Sequence, residues 1–261
     1  NSSSVGCTKE KRRLFKVNDY NYQKMYELEA NHWWFRSLHE LVIGCLNKNQ
    51  QESTNILDAG CGTGRLMAQL KDHGEITGFD FRDTALSYCN KRNLGNVTKV
   101  DLNKWDATEN QFEYVISLDV ISDQGINDDR LILRKFYRTL KPGGKLILHV
   151  PSFPILKRSH DEAVTIRKRY LRKEIEMIAK EVGFTPTLIQ YRLSFAFPIF
   201  LFLRLYGSIF QGSRESKSDI FKLPFFINSF FLSLSRYESK LIKLGFSIPF
   251  GTSLFSILQK K

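Results

Sequence analysis

Short apolar runs alternate with amphipathic segments in the middle of the chain. The runs lie at residues 55–60, 75–80, 97–101, 112–119 and 145–150. Between them, at about residues 64–73, 83–92 and 128–140, apolar side chains recur at helical spacing. Strands that alternate with helices at this spacing predict an α/β fold built on a doubly wound, mostly parallel sheet.

The flanks of this alternation carry helical patterns. Residues 20–50 predict two helices, and the apolar face of the second is formed by Trp34, Leu38, Leu41, Val42 and Cys45. Another helix is expected at about residues 171–182, before Gly183, and a strand over 184–193. We therefore expect three regions: a helical cap over residues 1–50, an α/β domain over 51–190, and a helical, hydrophobic region over 191–261.

The C-terminal region is both basic and rich in Phe. Residues 190–261 hold 10 Lys and Arg, 3 Asp and Glu, and 13 of the 21 Phe. One predicted helical face is apolar and consists of Leu223, Ile227, Phe230, Leu234, Tyr237, Leu241 and Leu244. Its other side carries Ser233, Arg236, Lys240 and Lys243. This pattern is typical of a helix in the membrane interface, although a dimer interface or a helix that covers the core would also show it.

Composition narrows the class of protein. The chain has 261 residues, 42% hydrophobic and 25% charged, which excludes global disorder. Its four Cys lack zinc or disulfide spacing, and no His–carboxylate cluster suggests a metal site. We therefore expect no metal and a reducing, cytoplasmic location, with peripheral contact to the inner face of the membrane through residues 193–258 as one alternative. The net charge of +12 permits nucleic-acid binding, but no separate RNA-binding module is recognisable.

A glycine-rich turn carries the first candidate chemistry. In ILDAGCGTGRL (56–66), an apolar strand leads through Gly60, Gly62 and Gly64 into a helix. Glycine lets a ligand approach the backbone without a Cβ clash. The GxGxG spacing differs from the GxGxxG of dinucleotide sites, and Asp58 beside the turn favours a zwitterionic or cationic ligand over a pyrophosphate. A purely structural turn is the alternative.

Acidic residues end four of the predicted strands. Asp80 ends the second run, 20 residues beyond Gly60, where doubly wound folds place an acid that binds ribose hydroxyls. Asp58, Asp101 and Asp119 lie at the ends of the first, third and fourth runs. One acid could be a helix N-cap, but four in succession indicate a ligand-binding edge.

These motifs resemble those of class I S-adenosylmethionine-dependent methyltransferases. ILDAGCGTG is similar to the first motif of that family. The second to fifth motifs are resembled, in order, by GFDF (78–81), VDLNKW (100–105), FEYVISLDV (112–120) and LKPGGKLILHVPSF (140–153). The resemblance implies a Rossmann-like, seven-stranded sheet with helices on both faces. It also implies S-adenosylmethionine as cofactor and S-adenosylhomocysteine as product.

The resemblance assigns residues to parts of the cofactor. Asp58 would support the loop, and Gly60, Gly62 and Gly64 would face the methionine moiety. Asp80 would bind the ribose hydroxyls, Phe81 would pack on the adenine, and Asp101 with the Leu102 backbone would meet the adenine edge. The backbone of Leu118, next to Asp119, would lie near the methionine amino group, and Arg36 would pair with the cofactor carboxylate.

The flanks point to a subgroup and also depart from it. EANHWWFRSL (29–38) resembles the opening of bacterial methyltransferases that often accompany glycan and lipid pathways, and HDEAVTIRKRY (160–170) and PFGTSLFSILQKK (249–261) resemble other parts of them. Trp33 and Trp34 could either pack on the sheet or cover the cofactor. The subgroup commonly has Glu-His where this chain has Ser122 and Asp123, and a second His where it has Ile166. The base could lie elsewhere, be unnecessary, or be lost with activity.

A sugar hydroxyl acceptor would need a general base, whereas an amine or phenolate would need little help. Our candidate base is His160, with Asp161 as its orienting partner. Asp123 is the second candidate for the base. Arg169 and Tyr170 could instead bind an anionic acceptor. We therefore predict methyl transfer to a small-molecule acceptor, by O-methylation of a lipid-linked sugar, quinone precursor or other membrane-borne compound. The alternatives for the function are an RNA methyltransferase and a non-catalytic cofactor-binding scaffold protein. The chain could also form a homodimer.

Overall fold

The structure of the chain is a computed structural model. It describes residues 20–46, 54–157, 161, 165–210 and 222–261, and for 204–210 it describes the backbone alone. The candidate base His160 and parts of the predicted cap, residues 1–19 and 47–50, lie outside the described residues.

The described strands form one seven-stranded sheet. They are β1 (Asn55–Ala59), β2 (Glu75–Asp80), β3 (Val97–Lys99), β4 (Phe112–Leu118), β5 (Leu140–Pro151), β6 (Phe184–Arg192) and β7 (Ser253–Lys260). Their order is β3-β2-β1-β4-β5-β7-β6, and β7 runs antiparallel to both of its neighbours. The predicted Rossmann-like, mostly parallel sheet is confirmed.

Helices cover both faces of the sheet. They are α1 (residues 20–28), α2 (Trp33–Ile43), α3 (Arg65–Leu70), α4 (Asp83–Lys91), α5 (Asp129–Thr139), α6 (Arg172–Val182), α7 (Phe197–Phe210) and α8 (Phe225–Lys243). Leu38 and Leu41 of α2 share a buried cluster with Leu66 of α3, whereas Phe136 of α5 and Ile178 of α6 belong to another. Strands between two such layers are buried on both faces, which explains their nearly continuous apolar runs.

The last strand differs from the sequence prediction. Residues 191–261 were expected to be helical, but β7 inserts between β5 and β6, and Leu254, Phe255 and Leu258 are fully buried there. A short apolar run at the end of a helical segment gives a weak strand signal. Its conformation is set by hydrogen bonds to partners more than 60 residues away, such as Arg192 opposite Ser253.

Helix α8 docks on α2 and so joins the C-terminal region to the cap. The Arg236 guanidinium donates to both Glu40 carboxylate oxygens, at 2.7 and 2.6 Å. The Asn228 side chain accepts from the Trp33 N–H and donates to the Asn31 carbonyl. Among the described residues, no helix combines the length and the apolar character needed to cross a bilayer.

Candidate functional site

The glycine loop makes a tight passage from β1 to α3. Gly60 and Gly64 have φ values of +91° and +76°, which residues with a Cβ rarely adopt. A Cβ on Gly60 would lie 2.2 Å from the Val120 Cγ2 atom, and one on Gly64 would lie 2.4 Å from the Leu94 Cδ1 atom. The loop therefore packs against the segment after β4, and only glycine fits at these positions without rearrangement.

The carboxylate of Asp80 is held at the same edge of the sheet. It accepts hydrogen bonds from the N–H groups of Gly62 and Arg82, both at 2.9 Å. Burial raises the pKa of Asp80 although these donors oppose the effect. Burial, and then the nearby Asp80 charge, raise the pKa of Asp58 to about 7. The ends of β1 and β2 thus hold two buried carboxyl groups beside the glycine loop.

The segment after α1 fastens the cap to this loop. The Glu29 carboxylate is buried, accepts from the Thr63 hydroxyl at 2.6 and 2.7 Å, and pairs with Arg92 at 2.5 Å. Arg92 also donates to the Thr63 carbonyl and stacks over the Tyr26 ring. Sequence reasoning missed Glu29, because nothing in the local pattern separates it from an exposed helical acid.

Tyr22 of α1 is a second residue that the sequence prediction missed. Its ring lies 3.9 Å from the position that a Gly62 Cβ would take. Burial, followed by the Asp80 charge, raises the pKa of Tyr22, so its hydroxyl stays protonated at neutral pH. The Asp123 charge acts in the same direction. Helix α1 therefore covers the loop with a phenol that lies near Asp80.

The other predicted cofactor residues follow the edge of the sheet. Phe81 is 58% exposed beside Asp80, which leaves its ring open to a ligand. The Asp101 carboxylate accepts from the Asn103 N–H at 3.0 Å and thereby shapes the turn after β3. The Leu102 side chain is buried, and its carbonyl accepts from the Lys135 ammonium group. The parallel order β3-β2-β1-β4 places Asp101, Asp80, Asp58 and Asp119 along one edge.

Asp119 points away from the loop, toward β5. Its φ of +61° is unusual for a residue other than glycine, and both carboxylate oxygens lie 3.0 to 3.1 Å from His149 Nδ1. The His149 ring is buried edge-on to Trp34, and its Nε2 atom has no hydrogen-bond partner in the described part of the chain. Strained residues often mark functional sites, and no pattern in the sequence predicted this Asp–His pair.

A buried guanidinium lies at the end of β6. Arg192 is fully buried and donates through Nη2 to the Ser37 hydroxyl at 2.6 Å, while its Nε and Nη1 atoms find no partner among the described residues. Burial lowers the pKa of Arg192 to about 10, against the opposing charges of Glu238 and Asp119. A buried cation with two unused donors is costly unless a ligand or water completes it.

The tryptophans and Arg36 occupy the underside of the cap. Trp33 packs against Phe195 and Phe231, with ring centres 5.9 and 5.3 Å apart. Trp34 packs edge-on against Phe35. The structure thus gives both indoles a packing role. The half-exposed Arg36 lies 3.9 Å from the Glu40 carboxylate, and its expected pairing with a cofactor carboxylate stays a prediction.

The described catalytic candidates are engaged within the chain. Asp161 is buried in a two-point pair with Arg169, at 2.6 and 2.9 Å. The Asp123 carboxylate accepts from the Thr165 hydroxyl and from the Gly125 N–H. The Tyr170 hydroxyl is buried and donates to Asp129, so neither Arg169 nor Tyr170 is free to meet an acceptor in this structure. The catalytic roles of His160, Asp161 and Asp123 stay predictions.

The described residues contain no group of three or more His, Cys, Asp or Glu side chains placed to hold a metal ion. They do fit an S-adenosylmethionine molecule. Phe81 offers an exposed aromatic face, and Asp80 presents a carboxylate beside the backbone of the glycine loop. The site therefore suits a nucleoside that carries a positive charge.

Comparison with known proteins gives a family match and several relatives. Residues 56–144 match the family model described as a methyltransferase domain. Phosphoethanolamine N-methyltransferase 3 of Arabidopsis thaliana is 32% identical over 126 residues, which are 44% of this chain and 24% of that protein. A demethylmenaquinone methyltransferase of Listeria welshimeri is 32% identical over 107 residues, 37% of this chain and 44% of that protein. The chain thus spans less than half the length of these relatives.

A solved structure agrees with these matches at the level of the fold. Phosphoethanolamine N-methyltransferase 2 of Haemonchus contortus, in complex with S-adenosylmethionine, has a TM-score of 0.55 and 20% identity over 87% of this chain and 52% of its own. The family match runs from β1 into β5 and so includes the glycine loop, Asp80 and Asp119. Residues 56–144 thus form a methyltransferase domain, and the fold around it is that of a solved methyltransferase structure.

Proposed function

We propose that the protein transfers a methyl group from S-adenosylmethionine to a small-molecule acceptor. The observation that carries this proposal is the carboxyl edge of β1 and β2, where Asp80 accepts from the Gly62 N–H beside a loop that only glycine fits. The family match over residues 56–144 supports it. When bound, S-adenosylmethionine supplies an electrophilic methyl group, so the chain must hold it, align the acceptor and manage one proton.

The residues of the chain divide these tasks in the proposal. Asp80 holds the ribose hydroxyls and Phe81 supports the adenine. Helix α1, fastened by Glu29, excludes water above the loop. Asp58 stays partly protonated near neutral pH because burial raises its pKa to about 7, which limits the negative charge beside the loop.

The acceptor we favour is a hydroxyl of a membrane-borne small molecule, such as a lipid-linked sugar or a quinone precursor. Two relatives support a small acceptor, since their names give phosphoethanolamine and demethylmenaquinone as substrates. His160 is the proposed base, and Asp123 the second candidate, because its charge influences Tyr22 at the glycine loop.

Labelled S-adenosylmethionine incubated with separated cell lipids, glycans and RNA tests the proposal. Label in a lipid or glycan fraction is the expected result, and the Asp80→Asn variant should lower it strongly. Label confined to RNA would favour an RNA methyltransferase. Cofactor binding without transfer to any fraction would favour a non-catalytic scaffold.

The role of His160 has its own test. His160→Ala should reduce turnover at saturating cofactor by about 100-fold, which is typical of a lost general base, and leave cofactor affinity unchanged. Asp123→Asn measured in parallel compares the two candidates. Unchanged turnover in His160→Ala with reduced turnover in Asp123→Asn would move the base to Asp123.

A further inference from the structure

Helix α8 presents apolar side chains to solvent along one line. Phe226, Phe230, Tyr237 and Leu244 are 71%, 63%, 62% and 73% exposed. At 100° per residue, these four positions fall within about 40° around the helix axis, and they extend over roughly 27 Å. We call these four residues the apolar stripe of α8.

The opposite side of α8 is fixed against the protein. Leu232, Ser235, Glu238 and Ile242 are buried on that side. The Glu238 carboxylate accepts from the N–H groups of Leu193 and Ser194, at 2.6 and 2.7 Å. A surface helix usually buries apolar side chains and exposes charged ones. Helix α8 instead buries Glu238 and exposes Phe226 and Phe230. The stripe therefore has its outward direction because the buried face is held by specific hydrogen bonds.

Other large apolar side chains are exposed before and after the stripe and on α7. Phe225 is 84% exposed at the start of α8, and Phe246 and Phe250 are 59% and 42% exposed after its end. On α7, Ile199 and Phe202 are 50% and 56% exposed. Large apolar side chains that are exposed in a row along one helix mark an interaction site rather than an ordinary protein surface.

The charges around the stripe indicate what covers it. Lys222 and Lys240 are exposed, whereas Glu238, the sole acidic residue between 222 and 261, is buried. Lys240 projects about 40° from Phe226 around the helix axis, and Lys222 lies three residues before the helix begins. Pairing this face with the same face of a second copy would place the lysines of both copies close together. Such a contact is unfavourable for a chain with a net charge of +12. Anionic lipid headgroups complement lysines while the acyl boundary takes phenylalanine side chains.

We propose that α8 lies in the interface of an anionic membrane, with the apolar stripe at the boundary of headgroups and acyl chains and the lysines at the lipid phosphates. Membrane docking is a property separate from methyl transfer, and it does not depend on that activity. Its value for catalysis, bringing the site to a membrane-borne acceptor, rests on the proposed function.

Flotation of the full chain with vesicles tests the docking. Phosphatidylcholine vesicles with and without phosphatidylglycerol are the probes, and the chain should float with the anionic vesicles and less so as salt rises. Phe226→Ser with Phe230→Ser should weaken binding by about 100-fold, roughly tenfold for each lost aromatic anchor. The matched control is Leu131→Ser with Met177→Ser, two exposed apolar residues on α5 and α6, which should float like the wild type.

Two further measurements separate docking from other outcomes. Calorimetry with S-adenosylhomocysteine should give the same affinity for the Phe226/Phe230 double variant as for the wild type. Flotation without any binding of S-adenosylhomocysteine would leave docking standing and overturn the proposed function. No flotation of the wild type, equal loss in the control, or a dimer in sedimentation that the Phe variants dissociate would overturn membrane docking.

Discussion

Beside the glycine loop, at the end of β2 and after α1, two buried acids find their donors within the chain. Asp80 accepts from two backbone N–H groups, and Glu29 is held by Thr63 and Arg92. At the ends of β5, β6 and β7, within the described residues, buried polar atoms remain unused: His149 Nε2, Arg192 Nε and Nη1, and Ser253 Oγ. Arg65 Nε, at the start of α3 beside the glycine loop, is also buried and has no hydrogen-bond partner among the described residues. We call these two regions the cofactor side and the acceptor side.

The two sides differ in what supplies the hydrogen bonds of their buried polar groups. On the cofactor side, the chain supplies the hydrogen bonds, so the loop is arranged before any ligand arrives, which avoids an ordering cost on binding. On the acceptor side, an unpaired buried donor costs about 1–3 kcal/mol, and a ligand that met it would recover that free energy. The following variants break or sharpen this comparison.

Gly60→Ala should have the largest effect, and on the cofactor side. The added Cβ would lie 2.2 Å from Val120 Cγ2, and φ of +91° is strained for alanine. Because the loop must move, we expect the S-adenosylhomocysteine dissociation constant to rise by about 100-fold or more, measured by calorimetry. Gly95→Ala is the control, since nothing lies within 4 Å of its Cβ, and it should bind normally. Equal affinity in both variants would contradict a prearranged loop.

Asp80→Asn should have the next largest effect. Asparagine offers one acceptor oxygen where the carboxylate serves both the Gly62 and Arg82 N–H groups, so one of them loses its partner. Cofactor affinity should fall by about 10- to 100-fold, the size expected for charge-assisted hydrogen bonds. Asp83→Asn is the matched control, because Asp83 is exposed and paired with Lys99 on the surface. A similar loss in both variants would point to general electrostatics instead.

The cofactor side could be predicted from sequence because its signals are local. Gly60, Gly62 and Gly64 follow an apolar strand directly, and Asp80 ends the next one, so their place at one edge follows from the parallel order of strands. Glu29 was missed because its partners lie 34 and 63 residues away. No periodic pattern reports such a contact.

The acceptor side and the C-terminal region depended on tertiary contacts. His149 lies inside an apolar run, and only the positive φ of Asp119 brings the two side chains together. The apolar face containing Phe230 and Tyr237 was predicted correctly as a pattern. The sequence left open whether this face points outward or covers the core, because its direction depends on burying Glu238 against the backbone after β6.

Arg192→Met tests the acceptor side directly. Replacing a buried cation that lacks a direct ionic partner by an apolar side chain of similar length should raise the free energy of unfolding by about 2 kcal/mol. Methyl transfer should nevertheless fall while cofactor affinity stays the same, if the unused donors serve the acceptor. Urea unfolding and labelled-cofactor assays measure the two effects.

Arg169→Met is the contrasting control for that variant. Arg169 is buried in a two-point pair with Asp161, so its loss leaves a buried carboxylate unpaired. Stability should fall by about 3 kcal/mol. If both substitutions destabilised the protein equally, the unused donors of Arg192 would be paired in solution, and the contrast between the two sides would disappear.

The smallest change between neighbouring measurements is expected for the pH dependence of stability on the cofactor side. Burial raises the pKa of Asp58 from 3.8 to about 7, so between these values the folded protein keeps a proton that the unfolded chain has lost. Stability from this group is therefore greatest at low pH and declines as pH rises, by about 1 kcal/mol per unit between pH 4 and 7, before levelling off. Asp58→Asn should flatten this decline in urea unfolding at pH 5, 6 and 7, and leave the dependence that comes from Asp80 and Glu29, whose pKa values are also raised. Identical slopes in the variant and the wild type would mean that Asp58 is ionised in the folded protein, and the ends of β1 and β2 would then hold two buried negative charges side by side.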